Sequence, residues 1–127
     1  MMAKILVVDD HQITARSLRR LLLGCGHTCD CVGSGGAALV YLTTQRVDLV
    51  VLDYNLLAID GVEVVRRLRA SVRTASVPIA LFSAAADGPA RDAALGAGAT
   101  EWWPKGALDA DGIESAVSRI LDHPSHA

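Results

Sequence analysis

A marked excess of either charge is missing from this chain: Lys and Arg number 12 against 14 Asp and Glu, giving a formal net charge of -2 and a pI of about 6.0. That balance gives no electrostatic case for direct binding to nucleic acid or to an anionic membrane surface. Long hydrophobic runs are missing too. The apolar stretches fall far short of the ~20 residues that a bilayer-spanning helix needs. No signal-peptide core precedes the first apolar run, so the cytoplasm is the expected compartment. Cysteine is scarce and odd in number: Cys25, Cys29 and Cys31 lie close together in sequence, a poor disulfide framework for a reducing compartment. Read functionally they suggest a metal or redox site with His27, yet no fourth ligand stands at zinc-finger spacing. The plainer reading has Cys25 closing a helix and Cys29 and Cys31 sharing one face of a strand.

What the chain does have is apolar content, 51% over 127 residues, enough for a single domain with a sizeable core. Residues 1–122 are expected to form that domain and 123–127 a tail, with His123 and His126 carrying no role. Two periodicities alternate along it. Short apolar runs (Ile5–Val8, Leu49–Leu52, Ile79–Phe82 and, less purely, Thr100–Trp103) are separated by stretches of helical spacing, the pattern of repeated βα units around a parallel sheet. Thr14, Leu18, Leu21, Leu22 and Cys25 mark one face of a first helix that Gly24 and Gly26 end. Thr28–Val32 is mixed in polarity, as an edge strand can be. Ala38, Leu39 and Leu42 mark a second helix. Gly61, Val64, Val65 and Leu68 mark a third, with Arg66, Arg67 and Arg69 assigned to its solvated face. Pro89–Ala97 reads as a short fourth helix. Ile113, Ala116, Val117, Ile120 and Leu121 give the cleanest amphipathic pattern, a fifth. The expectation is a doubly wound (βα)5 sandwich whose strands lack alternation because helices cover both sheet faces. Gly33-Ser34-Gly35-Gly36 reads as a β–α turn, with glycine supplying positive φ, rather than as a phosphate-cradling loop.

Candidate functional residues stand where the apolar runs stop. Asp9 and Asp10, Asp53, Ser83 and Lys105 each lie at or just past the C-terminal end of a run. In an open parallel sheet those ends share one edge, where ligands bind. Three carboxylates gathered there repel one another unless a cation lies between them. A hard divalent ion such as Mg²⁺, held through one or two carboxylates and completed by waters and a phosphate, suits such a pocket. With a hydroxyl and an ammonium beside it, the pocket is suited to placing a phosphoryl group on a carboxylate. His11, next to the acidic pair, reads as a solvent-facing loop residue, since hard cations prefer oxygen.

Taken in order, Lys4-Ile5-Leu6-Val7-Val8-Asp9-Asp10, Val47-Asp48-Leu49-Val50-Val51-Leu52-Asp53, Asp60-Gly61, Phe82-Ser83-Ala84, Gly96-Ala97-Gly98-Ala99 and Lys105 resemble the receiver domain of bacterial two-component response regulators, the family of the chemotaxis response regulator. The resemblance covers essentially the whole chain. It implies a flavodoxin-like five-stranded sheet in order 2-1-3-4-5. It implies that Asp53 takes a phosphoryl group from a histidine kinase or histidine phosphotransfer protein. It further implies Mg²⁺ ligated directly by Asp10 and Asp53, through water by Asp9 and by the backbone carbonyl of Asn55. Lys105 and Ser83 would contact phosphoryl oxygens, and Trp102 would occupy the aromatic switch position that signals to a downstream protein. Such a domain catalyses transfer only to its own aspartate and its slow release, and would be a monomer or weak dimer. Arg16, Arg19 and Arg20 would lie beside the kinase docking surface.

Several positions depart from the family pattern. Gly106, not proline, follows the lysine, and Pro104 precedes it; Trp102 replaces the usual Tyr or Phe. Leu57 stands where a proline is common, and Ala85 offers no group to orient an attacking water. These departures bear on switching and lifetime. Rival readings meet specific objections. A flavodoxin-like electron carrier would set its flavin phosphate against Asp9-Asp10-His11-Gln12, and a haloacid-dehalogenase-type phosphatase needs a second Asp where Asn55 stands. A degenerate receiver, binding partners without phosphorylation, is the remaining alternative, and intact Asp10, Asp53, Ser83 and Lys105 argue against it.

Overall fold

In a computed structural model of the chain, which describes residues 2–56, 59–84, 88–106 and 108–122, the apolar runs become five strands. They are β1 (Lys4–Val8), β2 (Thr28–Val32), β3 (Leu49–Asp53), β4 (Ile79–Ser83) and β5 (Glu101–Pro104). Between and after them come α1 (Gln12–Gly24), α2 (Gly35–Thr44), α3 (Gly61–Ala70), α4 (Pro89–Ala97) and α5 (Ala110–Asp122). Every strand pair is parallel and the sheet order is β2-β1-β3-β4-β5, the flavodoxin-like α/β sandwich that the alternating pattern predicts. The order reverses at β1, between β2 and β3, and such a switch point opens a crevice at the strands' carboxyl ends. The tail 123–127, Leu57 and Ala85 lie outside the described residues.

Alternate side chains of each strand enter different layers, because the strand period is two. Ile5, Val7, Leu49, Val51, Phe82 and Trp103 pack with Leu18 and Leu22 of α1 and with Ile113, Val117 and Ile120 of α5. Leu6, Val8, Val50, Leu52, Leu81 and Trp102 pack with Leu42 of α2, Val64, Val65 and Leu68 of α3, and Ala94 of α4. The Trp103 indole N–H donates to Glu101 Oε1 at 2.8 Å, and Arg119 Nη2 reaches the same oxygen at 2.7 Å. Burial of Glu101 works to raise its pKa, but these two donors outweigh it and hold the carboxyl below its usual value. β5 is thereby fastened to α5.

Local chemistry sets the helix ends. Asp60 caps α3 by accepting from the Glu63 N–H at 2.8 Å, and Glu63 pairs one turn on with Arg67 at 3.1 Å, the arrangement that suits the helix dipole. Cys25 follows the last turn of α1, and Gly26 takes φ 94° there, as the expected helix end requires. Pro89 opens α4 and Gly98, at φ 116°, closes it.

Two expectations need correction. Gly33, Gly35 and Gly36 are not among the glycines with positive φ. The β2–α2 turn is instead closed by Ser34, whose Oγ accepts from the Ala37 N–H at 3.0 Å. Gly35 is needed for space: a Cβ there would lie 2.7 Å from Val64 Cγ2. Arg69 does not sit on a solvated face. Its guanidinium donates to the backbone carbonyls of Gly98 (2.9 Å), Thr74 (3.1 Å) and Val77 (2.6 Å), joining the end of α3 to the loops before β4 and after α4. Arg19 likewise donates to the Cys29 carbonyl at 3.0 Å. The plainer reading of the cysteine region holds: Cys25 follows the end of α1 and Cys29 and Cys31 lie in β2, His27 is buried with Nδ1 accepting from the Ala3 N–H at 3.1 Å, and burial raises the Cys29 thiol to about 12.

Candidate functional site

The carboxyl ends of β1 and β3 bring the acidic residues together. Asp9 follows β1, and its N–H donates to the Val32 carbonyl at 3.0 Å, extending the pairing with β2 by one bond. Asp53 is the last residue of β3 and Ser83 the last of β4, both buried. The loop after β5 is tied to them, because the Lys105 N–H donates to the Ser83 carbonyl at 2.6 Å. Gly106 takes φ 83° with no cis peptide among the described residues. A proline could not adopt that angle, so this loop reaches the site by a different path from one built on a proline, yet Lys105 arrives. Gly61 lets α3 start directly against the acceptor loop: a Cβ there would lie 2.9 Å from Tyr54 Cα and 3.0 Å from the Asp53 carbonyl oxygen.

Asp53 is 2% exposed. Its Oδ1 receives the Asn55 N–H at 3.1 Å and Lys105 Nζ at 3.3 Å. Nζ also lies 3.9 Å from Asp9 Oδ2. Burial pushes the Asp53 pKa up, with the Asp9 charge adding to it, while the Asn55 N–H and Lys105 pull the other way; the net direction is upward. Asp53 Oδ2 and Asp10 Oδ1 are both buried and accept no hydrogen bond within the protein. Two buried, electron-rich oxygens without hydrogen-bond partners are what a bound cation would satisfy. Carboxylate oxygens of Asp9, Asp10 and Asp53 and a ring nitrogen of His11 all lie within 4.8 Å of one another, so the donor set fits a divalent metal.

His11 faces solvent over most of its surface, as its loop position suggests. Its side chain is 65% exposed, yet Nδ1 turns inward, 3.1 Å from Asp10 Oδ1, 3.3 Å from Asp9 Oδ1 and 3.7 Å from Asp53 Oδ2. The available signal was its place directly after the acidic pair and at the cap of α1. Asn55 is brought to the site through its N–H. Trp102 lies opposite Leu81 in the sheet, buried, with its indole edge-on to the Tyr54 ring at 5.4 Å. It therefore packs on the α4 side, while α5 packs against Trp103 on the other face. A cavity of about 310 Å³ among Gln45, Arg46, Asp48, Arg73 and Pro78 opens at the opposite end of the sheet and takes no part in this chemistry.

The sequence model of the response regulator receiver domain matches residues 5–117. The chain belongs to that family. The response regulator MprA of Mycobacterium ulcerans is 38% identical over 105 residues, covering 83% of this chain but 44% of that protein. The receiver domain thus spans less than half the length of the curated relatives it matches. Among solved structures, the signal receiver domain of a histidine kinase from Syntrophus aciditrophicus superposes with a TM-score of 0.89 at 25% identity, over 98% of this chain and 94% of that one. The receiver domain of the sensor histidine kinase PA1611 from Pseudomonas aeruginosa PAO1, which has a magnesium ion coordinated in its active site cleft, superposes with a TM-score of 0.88 at 24% identity, over 96% of this chain and 99% of that one. The second likeness bears on the fold alone. No described helix of this receiver domain is long and apolar enough to cross a membrane.

Proposed function

We propose that this receiver domain accepts a phosphoryl group on Asp53 from a phosphohistidine of a histidine kinase or phosphotransfer protein. The observation that carries the reading is the pairing of opposites on one carboxylate: Asp53 Oδ1 is engaged by Lys105 and Asn55, while Oδ2 is buried without a partner. A carboxylate whose anion is poorly solvated is a stronger nucleophile, consistent with its raised pKa. An Asp53 oxygen forms the new O–P bond as the donor's N–P bond breaks, and the imidazole leaves with the bonding pair. Lys105, as a point charge 3.3 Å from the acceptor carboxylate, moves onto a phosphoryl oxygen as charge develops there. Ser83, at the neighbouring strand end, donates its hydroxyl to another. Asp10 and Asp53 would hold Mg²⁺, with Asp9 acting through water and Asn55 through its backbone carbonyl. When bound, the ion offsets charge on the phosphoryl oxygens.

The phosphodonor protein docks beside this edge, on the exposed side of α1, where Ile13, Arg16 and Arg20 face solvent. Arg19 is less available, being bound to the Cys29 carbonyl. The modified state is read by a downstream protein through the surface around α4 and β5, with Trp102 as the responding ring. Incubation with Mg²⁺ and acetyl phosphate should add one phosphoryl group, found on Asp53 by mass spectrometry after borohydride trapping. Labelling that persists undiminished in Asp53→Asn would refute the assignment, and no labelling of the wild type under any donor would favour a phosphorylation-independent interaction module.

A further inference from the structure

We propose that His11 is a metal ligand through Nδ1, and that this nitrogen makes the pocket favour first-row transition ions, represented by Co²⁺ and Zn²⁺, over Mg²⁺. The inference rests on the acidic pocket being a divalent-cation site and adds to it both a ligand and an order of preference.

Geometry supplies the first argument. His11 stands at the N-cap of α1, where a side chain commonly turns back to accept a helix N–H, but its ring makes no such bond. Its backbone N–H is anchored to Asp9 Oδ1 at 2.8 Å, and the ring is directed at the carboxylates instead. Nδ1 lies 3.1 Å from Asp10 Oδ1 and 3.7 Å from Asp53 Oδ2, the two oxygens that are buried and unpartnered. Donors held ~2.1 Å from one octahedral ion stand ~3 Å apart at adjacent corners and ~4 Å apart at opposite ones. The separations of Nδ1 from the carboxylate oxygens fall in that interval, so the imidazole is spaced from Asp10 and Asp53 as a fellow ligand of one ion. Without an ion Nδ1 is within hydrogen-bond reach of Asp9 Oδ1 at 3.3 Å; ligation requires the tautomer with its proton on Nε2, which the exposed side of the ring can hold in water.

Ligand chemistry supplies the second argument. Carboxylate and carbonyl oxygens suit Mg²⁺, which gains little from imidazole. Affinity for a site containing nitrogen rises along the first-row series, and Co²⁺ and Zn²⁺ accept imidazole readily. Three carboxylates alone would give a plain hard-ion site; three carboxylates and one imidazole give a mixed one.

Calorimetric titration of Mg²⁺ and Co²⁺ into wild type, His11→Ala and Asp10→Ala tests the proposal without measuring phosphorylation. Wild type should bind Co²⁺ at least about tenfold more tightly than Mg²⁺, and His11→Ala should lose about tenfold or more in Co²⁺ affinity and clearly less for Mg²⁺, collapsing the ratio. In wild type the ¹⁵N resonance of His11 Nδ1 should shift on adding diamagnetic Zn²⁺, a readout that needs no substitution. An unchanged Co²⁺-to-Mg²⁺ ratio in His11→Ala, or an unshifted Nδ1, overturns the role of His11 while leaving the carboxylate site standing. Retention of both ions in Asp10→Ala places the cation elsewhere and overturns the underlying site as well.

Discussion

Replacing the acceptor aspartate should make the metal-free protein more stable. In Asp53→Asn the carbonyl oxygen can keep the Asn55 N–H and the Lys105 contact made by Oδ1. The amide N–H₂ then takes the place of Oδ2, a buried acceptor without a partner, and one of the three carboxylate charges gathered in the pocket is removed. Removing one buried unsatisfied group is worth ~1–3 kcal/mol, and a chain of this size gains roughly 4 °C in Tm per kcal/mol, so the melting point should rise by ~4–12 °C at neutral pH. The dependence on pH has a definite sign. Burial raises the Asp53 pKa above its unfolded value of 3.8, so the native state binds this proton more tightly than the unfolded chain does. The stability this confers on wild type is fully present below the unfolded pKa and is lost as pH rises through the folded one. The advantage of Asp53→Asn is therefore largest near neutrality and shrinks as the pH falls through the folded pKa of Asp53. Mg²⁺ should work against it, because an ion at ten times its Kd stabilises wild type by ~1.4 kcal/mol and the amide variant by less. Thermal melts of both proteins across pH, with chelator and with Mg²⁺, measure all three effects. A variant equally or less stable at neutral pH in chelator, with a difference that does not vary with pH, would refute the reasoning.

Gly61→Ala should destabilise the fold by ~1–3 kcal/mol, read as a fall in urea midpoint, because the added methyl would meet Tyr54 Cα and the Asp53 carbonyl, backbone that has little room to yield; it should also slow phosphorylation by displacing the acceptor, and unchanged kinetics would detach α3 from the site. Beryllofluoride with Mg²⁺ should change Trp102 emission in a Trp103→Phe background. The expected response is a partial rotation, since the indole is already buried against Tyr54 and a larger swing within a packed layer costs ~1–3 kcal/mol. Constant emission with beryllofluoride bound would mean that Trp102 is uncoupled from Asp53.

Legibility in the sequence followed the physics of each signal. Uninterrupted apolar runs announced buried parallel strands, and even the polar-mixed Thr28–Val32 and the Ala-rich Pro89–Ala97 appear with the bounds expected. The acidic pair, Asp53, Ser83 and Lys105 could be grouped because strand ends in a parallel sheet must share an edge. Other features depend on contacts that periodicity cannot express. Arg69 sits at a position that reads as solvated, but a long side chain can travel sideways along an apolar stem and deliver its charge to carbonyls in distant loops. Gly35 looked like a turn glycine, though its reason is the approach of Val64 from another helix. His11 looked peripheral because most of it is; only the direction of one nitrogen brings it into the pocket.

Trp102 and Trp103 are neighbours in the chain but belong to opposite layers of the sandwich, one against Tyr54 and α4, the other against Phe82 and α5. Each half of the core thus contains its own natural fluorophore, at one edge of a sheet built wholly from pairings distant in sequence. Assembly of such a sheet is slow compared with helix formation. Single-tryptophan versions would follow the closing of each layer separately in one refolding experiment, and coincident traces would mean that both layers form in a single cooperative step.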